Sequence, residues 1–316
     1  GSYLAEFLLK KNYEVHGIVR EESLKIEDRI KNIRSFKENL FLHSGNLNDQ
    51  PTILKIFSKI LPDECYHLAA SSFVNYSFNE EFETMANNFN STHFLLSAIR
   101  EIKNECKFYL AGSSEMFGEP NETPQTEKTP FHPKSIYGIS KVSSHYLLQN
   151  YREKEKIFAC TGIMYNHESP RRNEKFVTKK IISSAVRIKY GLQEKLLLGN
   201  LDSFRDWGYA PDYVKAMWII LQAEKADDYV LATEKLHTVR NFLEITFSYL
   251  GLDYKDYVEV DKIFFRASEN IPLCGNPKKI RNILGWENSK NLKYIIEEMI
   301  KEELKKMDKE SAYEEK

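Results

Sequence analysis

Phe108-Tyr109-Leu110-Ala111-Gly112-Ser113-Ser114-Glu115-Met116-Phe117-Gly118 is the stretch that decides how this chain folds. Its first part belongs to an unbroken run, Lys107 to Ala111, that reads as a strand buried in a parallel sheet. Its second part turns at once to small and polar residues with one carboxylate. Polar groups at the carboxyl end of a parallel strand stand where open α/β sheets bind ligands. Working outward, Glu14 to Val19, Leu40 to His43, Glu64 to Ala70 and Phe158 to Met164 read as further strands. Leu4, Phe7 and Leu8 give a helical stripe, and Met85 to Arg100 and Ser135 to Tyr151 read as longer helices. The alternation predicts an α/β fold: a doubly wound, mostly parallel sheet of the Rossmann-like kind.

After about Asn166 the rhythm breaks into Pro-, Arg- and Asn-rich loops mixed with helices. We therefore expect a dinucleotide-binding domain over residues 1–165, with 206–225 returning to it, and a smaller, loop- and helix-rich substrate lobe over 166–300. Residues 301–316 are almost all charged and read as a frayed helix or a disordered tail. A doubly wound sheet normally opens with a strand and a glycine-rich turn aimed at a pyrophosphate. That turn would lie upstream of Gly1, so the chain is expected to lack its first strand, with Gly1 the last glycine of the turn. A Gly-Ser cloning scar is the other reading. A sheet without a central strand leaves backbone groups unpaired, so poor solubility and impaired cofactor binding are expected.

Composition excludes several classes. With 316 residues, 42% of them hydrophobic, the chain can bury a large core. Its 45 basic and 46 acidic residues are interspersed, so no global basic field exists to hold nucleic acid. Cys65, Cys106, Cys160 and Cys274 lack paired spacing and read as reduced, buried thiols. No apolar run is long enough to span a bilayer and no leader is evident, so we expect no membrane partner and a cytoplasmic location. No His/Cys cluster has ligand spacing, so no metal is expected.

Tyr137 and Lys141 fall four apart and so share one helix face. A nearby ammonium favours phenolate and lowers a phenol pKa from about 10. Tyr137 is then a candidate general base for a sugar hydroxyl, and Lys141 can also hold a nicotinamide ribose. That spacing alone is common on solvated helices. It gains force from the preceding strand tip, where Ser113 can hydrogen-bond the hydroxyl being oxidised and Glu115 can take a proton from carbon beside a carbonyl. A helix cap or turn is the plainer use of that Ser and Glu.

Several segments together resemble the GDP-mannose 4,6-dehydratases, extended members of the short-chain dehydrogenase/reductase type. They are Gly1 to Arg20, Gly112 to Gly118, Tyr137 to Lys141, Asn166-His167-Glu168-Ser169-Pro170-Arg171-Arg172, Phe176-Val177-Thr178 and Arg205-Asp206-Trp207-Gly208. The resemblance implies a lyase in which hydride passes from sugar C4 to the nicotinamide of NADP and returns to C6, while Glu115 removes the C5 proton and helps expel the C6 hydroxyl as water. Arg20, after the second family strand, suits the 2′-phosphate of NADP. Glu21 stands where the family often has a second arginine, and should repel that phosphate. Asn46 and Leu47 match positions beside adenine, and Leu68, Ala69, Ala70, Ser71 and Ser72 match the small-residue turn over the diphosphate. His167 and Arg172 match cofactor contacts. Asn166, Arg205, Arg266 and Glu269 match positions that hold the GDP part. Relatives form dimers or tetramers, but Ile26 and Glu27 depart from the family in a segment that makes tetramer contacts, although Arg29 is kept. Phe204, Trp218 and Trp286 read as core rather than base-stacking residues. An NADP-dependent nucleotide-sugar epimerase or 4-keto-sugar reductase, or a non-catalytic nucleotide-binding relative, are the competing readings. Glu115 separates them, because only the dehydratase needs an acid there.

Overall fold

Leu4, Leu8 and Leu9 fall on one face of the first helix, α1 (Ser2–Lys10), and burial of that stripe docks the helix. The computed structural model describes residues 1–20, 33, 36, 38–72, 78–264 and 272–314. Strands and helices then alternate: β1 (Val15–Val19), β2 (Leu40–Ser44), α2 (Gln50–Ile60) and β3 (Glu64–His67). Helix α3 (Phe78–Met85) runs through a π-helical turn (Ala86–Asn90) into α4 (Ser91–Ile102). Next come β4 (Lys107–Ala111), a 3₁₀ turn (Ser114–Met116), α5 (Ile136–Lys154), β5 (Ala159–Met164) and β6 (Asn166–Glu168). The second half adds α6 (Val177–Lys189), β7 (Leu196–Leu198), β8 (Phe204–Tyr209), α7 (Ala210–Leu221), β9 (Tyr229–Leu231) and β10 (Leu236–Thr238). It ends with α8 (Val239–Tyr249), β11 (Val258–Val260), α9 (Lys278–Leu284) and α10 (Leu292–Glu314).

Strands β3, β4, β5 and β9 form a parallel sheet in the order β3-β4-β5-β9. Strand β4 is buried on both faces, as its apolar run requires. Phe108 and Leu110 pack among side chains of α2, α4 and α5, while Tyr109 and Ala111 pack against α1 and α7 on the other face. Helices therefore cover both sides of the sheet, the doubly wound arrangement. Strands β1 and β2 pair in parallel as a separate sheet, and no backbone ladder joins β1 to β3 among the described residues. Side chains bridge instead: Trp218 donates its indole N–H to the Tyr13 hydroxyl at 2.9 Å, and Gln222 donates to Glu64 at 2.8 Å.

The second core gathers α6, α8 and α10 around Trp207, Phe242 and Phe247. Helix α10 continues through the charged stretch as far as Glu314, because Ile296, Ile300, Glu303 and Met307 recur on one buried face. Buried Glu303 accepts from Lys179 of α6 at 2.5 Å. Trp286 is core, whereas Phe204 is not: at the first residue of β8 its ring is 45% exposed. The four cysteines are free, and burial pushes the thiols of Cys106 and Cys160 up to about 12 and that of Cys274 up to about 11.

Asp206 ties β8 to the segments at Thr233–Glu234 and Gly275. From the middle of β8 it accepts from the Thr233 hydroxyl at 2.6 Å and from the backbone N–H groups of Thr233 at 2.9 Å, Glu234 at 3.1 Å and Gly275 at 3.4 Å. Burial outweighs these donors and raises its carboxyl to about 6. Asp206→Ala strands those donors in a site that water does not reach, which costs about 3 kcal/mol of unfolding free energy. The check is the urea midpoint at constant m-value; an unchanged midpoint would refute the role.

Candidate active site

Chain segments that follow parallel strands are gathered at the strands' carboxyl ends however far apart they lie in sequence. Here the residues singled out from the sequence are those segments. Arg20 follows β1, Asn46 and Leu47 follow β2, Leu68 to Ser72 follow β3, Ser113 and Glu115 follow β4, and Asn166 and His167 follow β5. The tips of β2 and β3 are linked through the π-helical turn, since Asn48 donates to Asn87, which donates to the Ser71 hydroxyl at 3.2 Å. Arg20, Asn46, Ala69 and Ser72 are exposed, and Leu47, Leu68, Ala70 and Ser71 half-buried.

Ser113 is both a cap and a site residue. Its extended backbone opens the 3₁₀ turn, and its hydroxyl accepts from Glu115 N at 3.3 Å. Ser135 caps α5 in the same way, accepting from Gly138 N at 3.0 Å. Between these two turns there is no room for a side chain: a Cβ on Gly138 would stand 2.5 Å from the Glu115 carbonyl oxygen. The first turn of α5 therefore rests on the backbone of the Glu115 turn, and Tyr137 is brought beside it by main-chain contact. Ser113, Glu115 and Tyr137 are all half-buried, whereas Lys141 is 2% exposed.

One helical turn beyond Tyr137, the Lys141 ammonium lies 5.9 Å from the Tyr137 ring centre. Burial lowers Lys141 to about 8, and no ion pair holds it among the described residues. Its buried neighbour His67 is driven down to about 3, by burial first and by the Lys141 charge second, so it stays neutral. A buried cation with no carboxylate partner is arranged to favour an anion at the adjacent phenol. It equally suits an anionic or hydroxyl-bearing ligand.

On the far side of β5, His167 stacks on Tyr213 with ring centres 4.7 Å apart. Its Nδ1 donates to the Tyr165 carbonyl at 2.9 Å, and burial lowers it to about 4, so Nε2 carries a lone pair able to accept. Gly1 precedes α1 at its N-cap. Arg172 lies 3.6 Å over the Phe176 ring, with its Nε 3.2 Å from buried Glu168. Asn166 is in register with Trp207, and Arg205 lies two residues before Trp207 on β8, so Asn166 and Arg205 share one face of the β10-β8-β6 sheet. Arg266 and Glu269 lie outside the described residues, as do Glu21, Ile26, Glu27 and Arg29.

Three buried groups beside the candidate residues are not singled out by the sequence: His67, Asn88 and Ser140. The available signal was Asn87-Asn88, two poor helix formers inside a helical pattern. Among the described residues no group of three or more His, Cys, Asp or Glu side chains is placed to hold a metal ion. Among them, too, no helix is long and apolar enough to cross a membrane. The set fits a dinucleotide, with small side chains at the β3 tip, an exposed guanidinium at the β1 tip and a buried ammonium that has no ion pair among the described residues.

A family model described as GDP-mannose 4,6 dehydratase matches residues 1–299. GDP-mannose 4,6 dehydratase 1 of Arabidopsis thaliana is 46% identical across 99% of this chain and 89% of its own length. Among solved structures, dTDP-glucose 4,6-dehydratase from Bacillus anthracis in complex with NAD superposes with a TM-score of 0.84 at 18% identity, covering 96% of this chain and 93% of that one. RMD from Pseudomonas aeruginosa complexed with NADPH gives 0.77 at 21% identity, covering 86% and 93%. These two likenesses establish the α/β fold.

Burial lowers Lys141, so the folded state releases that proton before the unfolded chain does. Stability therefore rises with pH from about 8 toward the ordinary lysine value of 10.5. In protein labelled at lysine Cε, NMR should show one lysine titrating near 8 that vanishes in Lys141→Met. A lysine set that titrates entirely near about 10.4 would contradict this.

Proposed function

The chain belongs to the GDP-mannose 4,6-dehydratase family, and from that premise we propose that it is a lyase converting GDP-mannose to GDP-4-keto-6-deoxymannose and water. The observation that carries this reading is the backbone contact of Gly138 on Glu115, which sets a carboxylate-bearing turn against the Tyr137 helix. Epimerases and reductases on the same Tyr/Lys pair need no acid at that turn.

The nicotinamide cofactor, when bound, supplies the acceptor for hydride from sugar C4 and its donor to C6. Tyr137, biased toward phenolate by Lys141, takes the C4 hydroxyl proton, and the Ser113 hydroxyl hydrogen-bonds the same oxygen. The resulting ketone acidifies the neighbouring C5 hydrogen. Glu115 removes that proton, the C5–C6 double bond forms, and the C6 hydroxyl leaves with that proton as water; as hydride returns to C6, C5 takes up a proton, which balances the one Tyr137 removed from the C4 hydroxyl. Each such transfer contributes about 10²–10⁴-fold.

We read the cofactor as NADP, because Arg20 offers a guanidinium where a carboxylate would favour NAD. Gly1, Asn46, Leu47, Leu68 to Ser72, Lys141, His167 and Arg172 are assigned to it. Asn166 and Arg205, with Arg266 and Glu269, are assigned to the GDP part, arginine being suited to diphosphate oxygens. Ile139 at 40% and Tyr146 at 57% exposed leave apolar area on α5 that self-association into a homo-oligomer would cover; the location assigned to the chain is the cytoplasm.

Glu115→Gln should cut formation of the 4-keto-6-deoxy sugar by about 10³-fold. C4 oxidation does not use this residue, so reduced nicotinamide should accumulate on the variant and persist. Turnover equal to the parent protein would rule the dehydratase mechanism out and leave the epimerase or reductase reading.

A further inference from the structure

Asn88 is 1% exposed, yet it sits within a helix, where an apolar residue would pack at less cost. The helix gives way around it: α3 passes into α4 through the π-helical turn Ala86–Asn90. The side chain then makes three hydrogen bonds, all to the site. Its Oδ1 accepts from Ser71 N at 2.8 Å, and its Nδ2 donates to the Ser71 carbonyl at 3.3 Å and to the Ser140 hydroxyl at 2.9 Å. Ser140 in turn donates to the Tyr137 carbonyl at 2.7 Å and immediately precedes Lys141. The Asn88 carbonyl is used as well, accepting from Thr92 at 2.8 Å and from Ser144 of α5 at 3.2 Å.

One planar amide thus spans the backbone of the β3 tip and the helix carrying Tyr137 and Lys141. We infer that Asn88 is a positioning residue that sets the spacing between the cofactor-facing Ser71 turn and the Tyr137–Lys141 face. The inference rests on the proposed roles of those two residues. Aspartate has the same shape but cannot donate to Ser140 and to the Ser71 carbonyl, and alanine removes the bridge entirely. A displacement of the reacting groups by about 1 Å lowers turnover by about 10²-fold.

The experiment compares Asn88→Ala, Asn88→Asp, Ser140→Ala and the double alanine variant with the parent protein, with circular dichroism confirming the fold. The readouts are exchange of the Ser71 amide hydrogen in free protein, NADPH affinity by fluorescence titration, and kcat and KM for GDP-mannose. Asn88→Ala should speed Ser71 exchange and weaken NADPH binding by about tenfold each, the value of one lost hydrogen bond near the strong end of its range. It should lower kcat by about 10²-fold while KM for GDP-mannose holds. Asn88→Asp should fall between, and the double variant should be no worse than Asn88→Ala, because both changes cut one bridge. Unchanged Ser71 exchange and NADPH affinity, or losses in the double variant that simply add, would overturn the inference. Should Asn88→Ala fail to fold, Ser140→Ala decides, parental NADPH affinity and kcat counting against it. A parent protein that leaves GDP-mannose untouched would defeat the proposed activity, while Ser71 exchange and NADPH titration would still decide the role of Asn88.

Discussion

The whole site hangs on a missing methyl group. With no Cβ at Gly138, the first turn of α5 approaches the Glu115 carbonyl to a distance no side chain would allow. Everything chemical about the pocket follows from that approach. It puts the turn after β4 and the start of α5 in one place, so that a hydroxyl, a carboxylate and a phenol come from two rigid elements rather than from mobile loops. The elements are themselves held firmly: β4 is buried on both faces, and each turn is capped by a serine, Ser113 and Ser135.

Electrostatics completes what sterics begins. Lys141 is buried with no carboxylate to neutralise it among the described residues, an arrangement that costs stability. By contrast, the buried Lys179 of α6 is paired with Glu303, and buried Asp206 is surrounded by donors. Among the described residues Lys141 has no such ion pair, and it lies beside Tyr137. Neutral His67 next to it adds no competing charge.

Much of this was legible in the chain itself. Lys107 to Ala111 reads as a buried strand because no polar residue interrupts its inner positions, and the observed strand has those bounds. The Tyr137–Lys141 spacing fixes a shared helix face whatever surrounds it. Other features depend on contacts that no local pattern encodes. Residues 301–316 read as a frayed helix or a disordered tail because charge dominates them; the helix runs to Glu314, held by buried Met307 and by Glu303, which pairs with Lys179 of α6. Phe204 reads as core from its ring alone but begins a strand, where its side chain meets solvent. The π-helical turn that aims Asn88 likewise arises from tertiary pairing rather than from periodicity.

The central claim is that oxidation and reduction occur on one sugar, with the hydride kept inside the pocket between them. GDP-mannose carrying deuterium at C4 tests it most directly. Incubated with the protein and NADP, it should yield a 4-keto-6-deoxy product bearing that deuterium at C6, with none in cofactor released to solution. Deuterium missing from C6, or recovered in free reduced cofactor, would contradict the account.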